Sequence, residues 1–228
     1  MKLLDRILSS IAPYECLVCE QEGALLCRTC QPRLGVHNIS QCVHCQAPAV
    51  DFATCQKCHQ HVPIDRVWTA YDYDGYARSL VKAFKFDGKR SGAKEIAGIL
   101  DRILPVVPAD AVFVHIPTAT MHVRERGYDH ARLLAAALAA RRAQLHLPLL
   151  QRATQARQLG AGRGERIKNI AGAFRIVDQK SVKGVHVILV DDVVTTGATL
   201  AEAARTLRLA GAARVDAIVF ARTPSPKK

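Results

Sequence analysis

The chain predicts an α/β fold, a parallel sheet covered by helices, behind a small cysteine-rich N-terminal module. Three observations carry this reading. After Val67, short apolar runs alternate with helical patterns. One of those runs ends in two adjacent acids and a Thr/Gly turn. All eight cysteines fall between residues 16 and 58. An apolar content of 49% with 23% charged residues is that of a folded chain, not a disordered one.

The opening stretch, MKLLDRILSSIAPYEC, has a short apolar run broken by Asp5 and Arg6, with no small-residue cleavage site after it. It reads as a short amphipathic helix and not as a signal peptide. No apolar run approaches the ~18 residues that cross a bilayer. The expectation is a cytoplasmic protein without membrane insertion.

The cysteines come as four C-x2-C pairs: Cys16 and Cys19, Cys27 and Cys30, Cys42 and Cys45, Cys55 and Cys58. Each pair turns two sulfurs to one side of a tight loop, and two such knuckles complete a tetrahedral thiolate site. Disulfides suit an oxidising compartment, and a redox pair would not recur four times. The spacing predicts two structural zinc ions. Pairing by proximity puts one on Cys16, Cys19, Cys27 and Cys30 and the other on Cys42, Cys45, Cys55 and Cys58; a crossed pairing fits the spacing too. Four thiolates around Zn2+ leave no open position, so such a metal holds the fold and does not catalyse. His37, His44, His59 and His61 lie close by, but eight thiols already fill two sites.

Beyond this module, residues 1–66, the pattern changes. Strand-like runs appear at 67–73, 111–117, 186–192 and 214–220. Helical patterns appear at 76–86, 93–104, 129–145 and 199–211, the last closed by Gly211. Alternation of this kind gives a parallel sheet over residues 67–228, and ligands of such sheets bind beyond the carboxyl ends of the strands.

The net charge of +12 is uneven. Residues 1–66 hold six basic and six acidic side chains, and residues 67–228 hold 26 and 14. With two thiolate sites loaded, the first segment carries about −4 and would dock on the basic one. Within residues 120–168 there are ten Arg/Lys against three acids. Such a surplus attracts phosphate, on a small ligand or on a nucleic acid.

HVILVDDVVTTGATL, residues 186–200, is one strand end of the predicted sheet. Its acids suggest a Walker B segment, but no G-x-x-x-x-G-K-[ST] loop accompanies them. GAGRG at 160–164 follows no strand and is no dinucleotide fingerprint. The turn itself remains. Thr195, Thr196, Gly197, Ala198 and Thr199 lead into a helix, and backbone N–H groups with hydroxyls there form an anion cradle. Asp191 and Asp192 would repel a phosphate directly, but suit the hydroxyls of a ligand whose phosphate sits in the turn. A ribose 5-phosphate has that layout.

This stretch resembles the signature of the type I phosphoribosyltransferases, which bind phosphoribosyl pyrophosphate (PRPP). The whole chain resembles more specifically the ComF family, competence-associated proteins with a double zinc ribbon before a phosphoribosyltransferase domain. The four knuckles, residues 65–90, RERGYDHARLLA (124–135), residues 151–174 and the signature carry the likeness. One departure is ATQARQL, where a Pro is expected before Gln158. The resemblance implies that Asp191 and Asp192 are the catalytic, ribose-binding acids and that Thr195, Thr196, Gly197, Ala198 and Thr199 hold the 5′-phosphate. It puts the pyrophosphate loop at Pro117 to Thr120 and the loop that closes over the reaction centre at 152–168. Arg124, Arg126, Arg163, Arg166 and Lys168 are the pyrophosphate candidates, since guanidinium forks match phosphate oxygens. Lys85 is a weaker one. Mg2+ would arrive with the PRPP oxygens. His115 and His122 lie near the expected site, and each reads more readily as structural than as a base.

Two function classes follow. One is a ComF-type PRPP-binding protein of natural competence, with single-stranded DNA and competence proteins as candidate partners. The other is a phosphoribosyltransferase acting on a nucleobase or other amine, with no DNA role. Base specificity lies in a poorly patterned region, and 5% aromatic residues show no stacking platform.

Overall fold

The computed structural model describes residues 14–34, 40–86, 89–153 and 171–224. Six strands are present among these described residues: β1 Val67–Asp72, β2 Val112–His115, β3 Leu150–Arg152, β4 Phe174–Ile176, β5 His186–Val194 and β6 Arg214–Arg222. The helices are α1 Gln56–His59, α2 Gly75–Phe86, α3 Gly92–Ile103, α4 Thr120–Arg126, α5 His130–Arg141 and α6 Ala198–Leu209. Four strands form a fully parallel sheet in the order β1-β6-β5-β2, and β3 and β4 form a separate antiparallel pair.

Side-chain alternation along the central strands divides the core in two. Ile188, Val190, Ile218 and Phe220 meet Leu80 and Phe84 of α2, Ile96 and Leu100 of α3, and Leu134 and Leu138 of α5. Val187, Leu189, Val215 and Val219 turn the other way, onto Leu200, Ala203 and Leu207 of α6. The sheet is therefore covered on both faces, which is why its strands read as nearly continuous apolar runs.

The cysteine-bearing segment joins both cores. Leu25 and Leu26 pack into the α2/α3 side, and Glu95 of α3 accepts their backbone N–H groups at 3.0 and 2.8 Å. Val43 and Ile64 pack into the α6 side. Each knuckle quartet is thereby anchored to a different face of the sheet.

Three local outcomes differ from the sequence reading. The helix expected over 129–145 stops at Arg141, and Ala143 takes a positive φ of 53°. The chain needs that turn because residues 145–147 run along β2, with hydrogen bonds from Phe113 N–H to the Leu145 carbonyl and from Leu147 N–H to that of Phe113. Edge pairing outweighs helical periodicity here. A short helix, α4, forms at 120–126 and ends on Gly127, whose φ of 73° is the left-handed stop that favours glycine. The β3/β4 pair was not expected.

Candidate active site at the end of the central strand

β5 carries Asp191 and Asp192 to the carboxyl edge of the sheet, and alternation sends the two acids to opposite faces. The two side chains therefore leave the strand end in different directions. Asp192 continues the Ile188–Val190 row towards α2 and α5. It is 2% exposed, with Lys85 Nζ 2.8 Å from one oxygen and His130 Nε2 2.9 Å from the other. Burial alone would raise its pKa, but the Lys85 ammonium and the His130 contact outweigh that and hold it at about 2. The His130 contact is off-line, so Oδ2 keeps no well-aligned donor among the described residues.

Arg126 completes a relay to this acid. Its Nη1 lies 3.0 Å from His130 Nδ1. A guanidinium only donates, so Nδ1 accepts and the ring hydrogen sits on Nε2, facing Asp192. The guanidinium also lies 4.7 Å above the exposed Phe86 ring. Lys85 is thus the counter-ion of Asp192 and not a free phosphate ligand.

Asp191 lies on the other face and keeps part of its surface in solvent. Burial and the charge of Asp192 push its pKa up to about 7, against the pull of Lys85, of the Asp192 N–H and of Arg152. Arg152, at the end of β3, donates to the Pro117 carbonyl at 2.9 Å and so ties β3 to the turn after β2. In that turn Thr118 donates to Asp129, which also caps α5 by accepting from Arg132 N–H.

The turn after β5 has Thr195 and Thr196 exposed, Gly197 buried, and Ala198 and Thr199 half-buried at the start of α6. Gly197 has a φ of 76°, a conformation that L side chains rarely adopt. The Ala198 N–H points to Thr196 Oγ1 at 3.4 Å. An open cavity of about 300 Å³ adjoins this turn, and its lining includes Thr196, Ala198 and Arg205 together with His44, His61 and Val62. His44, set aside in the sequence reading as an unneeded ligand, is therefore a neighbour of the turn.

The remaining candidates divide. Arg124 is exposed on α4. Arg163, Arg166 and Lys168 lie outside the described residues, but the ends of their stretch are placed: Arg152 binds Pro117, and Gly172 N–H donates to Glu202 of α6 at 2.7 Å. His115 is buried against His146, 3.0 Å away, and burial pushes its pKa down to about 4. His122 pairs with Glu125 on the exposed side of α4. Neither histidine is placed as a base.

The cysteines form two quartets in sequential pairing, each with its four sulfurs within 4.8 Å of one another. Around an ion with bonds of about 2.3 Å, the edges of a thiolate tetrahedron measure about 3.8 Å. The Cys19–Cys27 and Cys45–Cys55 sulfurs lie 3.7 and 3.5 Å apart. Both quartets fit a tetrahedral metal ion.

Comparison with known proteins agrees with this arrangement. Residues 129–228 match the phosphoribosyl transferase domain. The chain is 32% identical over 232 residues to the DNA utilization protein YhgH of Salmonella typhi, covering 92% of this chain and 98% of that protein. It is 27% identical over 233 residues to the competence protein ComFC of Bacillus subtilis (97% and 94%), and 28% over 215 residues to competence protein F of Haemophilus influenzae (86% and 90%). With a phosphoribosyl transferase domain, two cysteine quartets and relatives matched over almost their whole length, the chain belongs to the ComF family.

Proposed function

We propose that this protein is a ComF-type PRPP-binding protein acting in natural competence, in the handling of imported single-stranded DNA. The observation that carries the reading is the end of β5, where an acid on each face of the sheet precedes a positive-φ glycine turn at a helix start. In this reading the turn Thr195–Thr199 holds the 5′-phosphate through backbone N–H groups. Asp191 and Asp192 accept the ribose hydroxyls. Arg124, Arg126, Arg163, Arg166 and Lys168 are assigned to the pyrophosphate, with Arg152 and Lys85 shaping the acids' field. Mg2+ would come with the PRPP oxygens and would supply charge neutralisation for the leaving pyrophosphate, and Asp191 would offer the hard oxygen that such an ion prefers.

We assign residues 1–66 as a double zinc ribbon and residues 67–228 as the phosphoribosyltransferase-like domain, in a cytoplasmic protein. All-sulfur quartets favour zinc. Among the described residues no helix is long and apolar enough to cross a membrane. The relatives named for competence and DNA utilization support a DNA-related role, and single-stranded DNA and competence proteins are the partners assigned to it.

Titration calorimetry with Mg-PRPP tests the reading. The wild-type protein should bind, and Asp191→Asn should lose at least tenfold in affinity. Wild-type protein that releases no heat and shows no retention of PRPP at millimolar concentration would overturn it.

A further inference from the structure

The second cysteine quartet and the Thr/Gly turn are far apart in sequence, yet one side chain joins them. His44 lies between Cys42 and Cys45, two members of one quartet, so a bound ion would fix its backbone from both sides. Its ring lies on Gly197: a Cβ there would meet His44 Cε1 at 2.7 Å and Nδ1 at 2.9 Å. The ring also lines the same cavity as Thr196. Its neighbour Val43 is buried in the α6-side core, and the Val43 carbonyl accepts from Arg222 at the end of β6, 3.4 Å away. The imidazole Nε2 is buried and has no hydrogen-bond partner among the described residues.

We infer that the second quartet is part of the ligand site, with His44 as a positioning residue that transmits metal occupancy to the Thr195–Thr199 turn. This rests on the proposed reading of that turn as the 5′-phosphate cradle. Gly197 then serves two purposes, since its missing side chain admits the His44 ring as well as a close approach of the backbone to an oxygen. Loss of metal from the second quartet frees the Cys42–Cys45 knuckle, and His44 no longer buttresses the turn. Among the described residues, the first quartet is tied elsewhere. It is anchored through Leu25 and Leu26 to Glu95, on the other face of the sheet.

Coupling between two sites is reciprocal, typically 5–150-fold in affinity. Two measurements on the full-length, zinc-loaded protein test it. In the first, calorimetry compares Mg-PRPP binding by wild type, His44→Ala and His44→Gln, with zinc content measured on each sample. His44→Ala should keep two zinc ions and bind about tenfold more weakly. His44→Gln, which retains a side-chain N–H, should recover part of the loss. In the second, a zinc-selective chromogenic chelator follows zinc release from wild type with and without saturating Mg-PRPP. One of the two ions should leave at least severalfold more slowly with ligand, and the other at an unchanged rate. This assay uses native protein alone, so it decides even if His44→Ala does not fold. Wild type that binds no Mg-PRPP overturns the reading of the turn, and this inference with it. Wild-type binding combined with unchanged affinity in folded His44→Ala, or with release that is unaffected or slowed equally at both quartets, overturns the inference alone.

Discussion

Asp191→Asn should make the ligand-free protein more stable at pH 8 while removing its affinity for Mg-PRPP. Burial and the neighbouring Asp192 charge raise the Asp191 pKa from 3.8 to about 7. A carboxyl whose folded pKa is raised loses stability as pH climbs from its unfolded value through its folded one. The loss therefore develops between about pH 4 and pH 7 and is complete above that. At about 1.4 kcal/mol per pKa unit the full effect would be about 4 kcal/mol. Asp191 is partly solvent-exposed and has Arg152 nearby, so screening reduces this to about 1–2 kcal/mol. Asn keeps the oxygen that accepts from the Asp192 N–H, so the local backbone should be undisturbed. Thermal melts at pH 5.5 and pH 8 read the effect, at about 2–4 °C for each kcal/mol in a chain of this size. The gain at pH 5.5 should be about half that at pH 8, because that pH lies midway through the window. An Asn variant no more stable than wild type at pH 8 would refute the argument. The acid would then be an ordinary strand end and not a charge held in place for a ligand.

Purified protein should contain two zinc ions per chain by elemental analysis; iron, or intact disulfides without metal, would contradict the quartet assignment. His130→Ala removes the link between Arg126 and Asp192 and should cost about 1–3 kcal/mol in urea melts, with weaker Mg-PRPP binding; His130→Gln should cost less. Single-stranded DNA should bind with an affinity that falls with salt at a log–log slope of about −0.7 per phosphate contact. If the 120–168 stretch serves both ligands, Arg163→Ala with Arg166→Ala weakens both and PRPP competes with DNA. Filter binding over a salt series that gives a flat response, or no binding at low salt, removes the DNA role.

The four sheet strands were legible because a parallel sheet covered on both faces leaves apolar runs such as VILV, and their alternation with helical patterns separates them from buried helix. Helix α6 was legible from its closing Gly211 and from the turn before it. The β3/β4 pair was not, since three residues carry no usable period, and its partner strand lies more than twenty residues away. The overrun of α5 past Arg141 has the same origin: AARRAQL keeps a helical pattern, and only pairing with Phe113 ends it. The quartets could be read as cysteine pairs, while their sequential grouping required coordinates. Lys85 and His130 were missed as partners of Asp192, because nothing in one sequence says which basic group faces a given acid. His44 was missed for the opposite reason. Its neighbours explained it too readily as part of a knuckle.

Adjacent residues on a strand point to opposite faces, so two neighbouring acids on β5 belong to different layers of the protein. Asp192 lies among α2 and α5, held by Lys85 and His130; Asp191 lies on the α6 side, near Arg152. Each acid is thereby set by a separate group of elements. The turn that follows is set by a third, the Cys42–Cys45 knuckle, through His44. A ligand spanning both acids and the turn must bring the two helical layers and the knuckle into register at once. Substitutions at Lys85 or His130 should therefore act through Asp192, and those at His44 through the phosphate turn. As long as no shared element moves, effects from the two groups should add in a double-mutant cycle, while Lys85 and His130 changes should not add to each other. Strict additivity of Lys85→Met and His130→Ala in Mg-PRPP affinity would show that they do not share Asp192 as their common target.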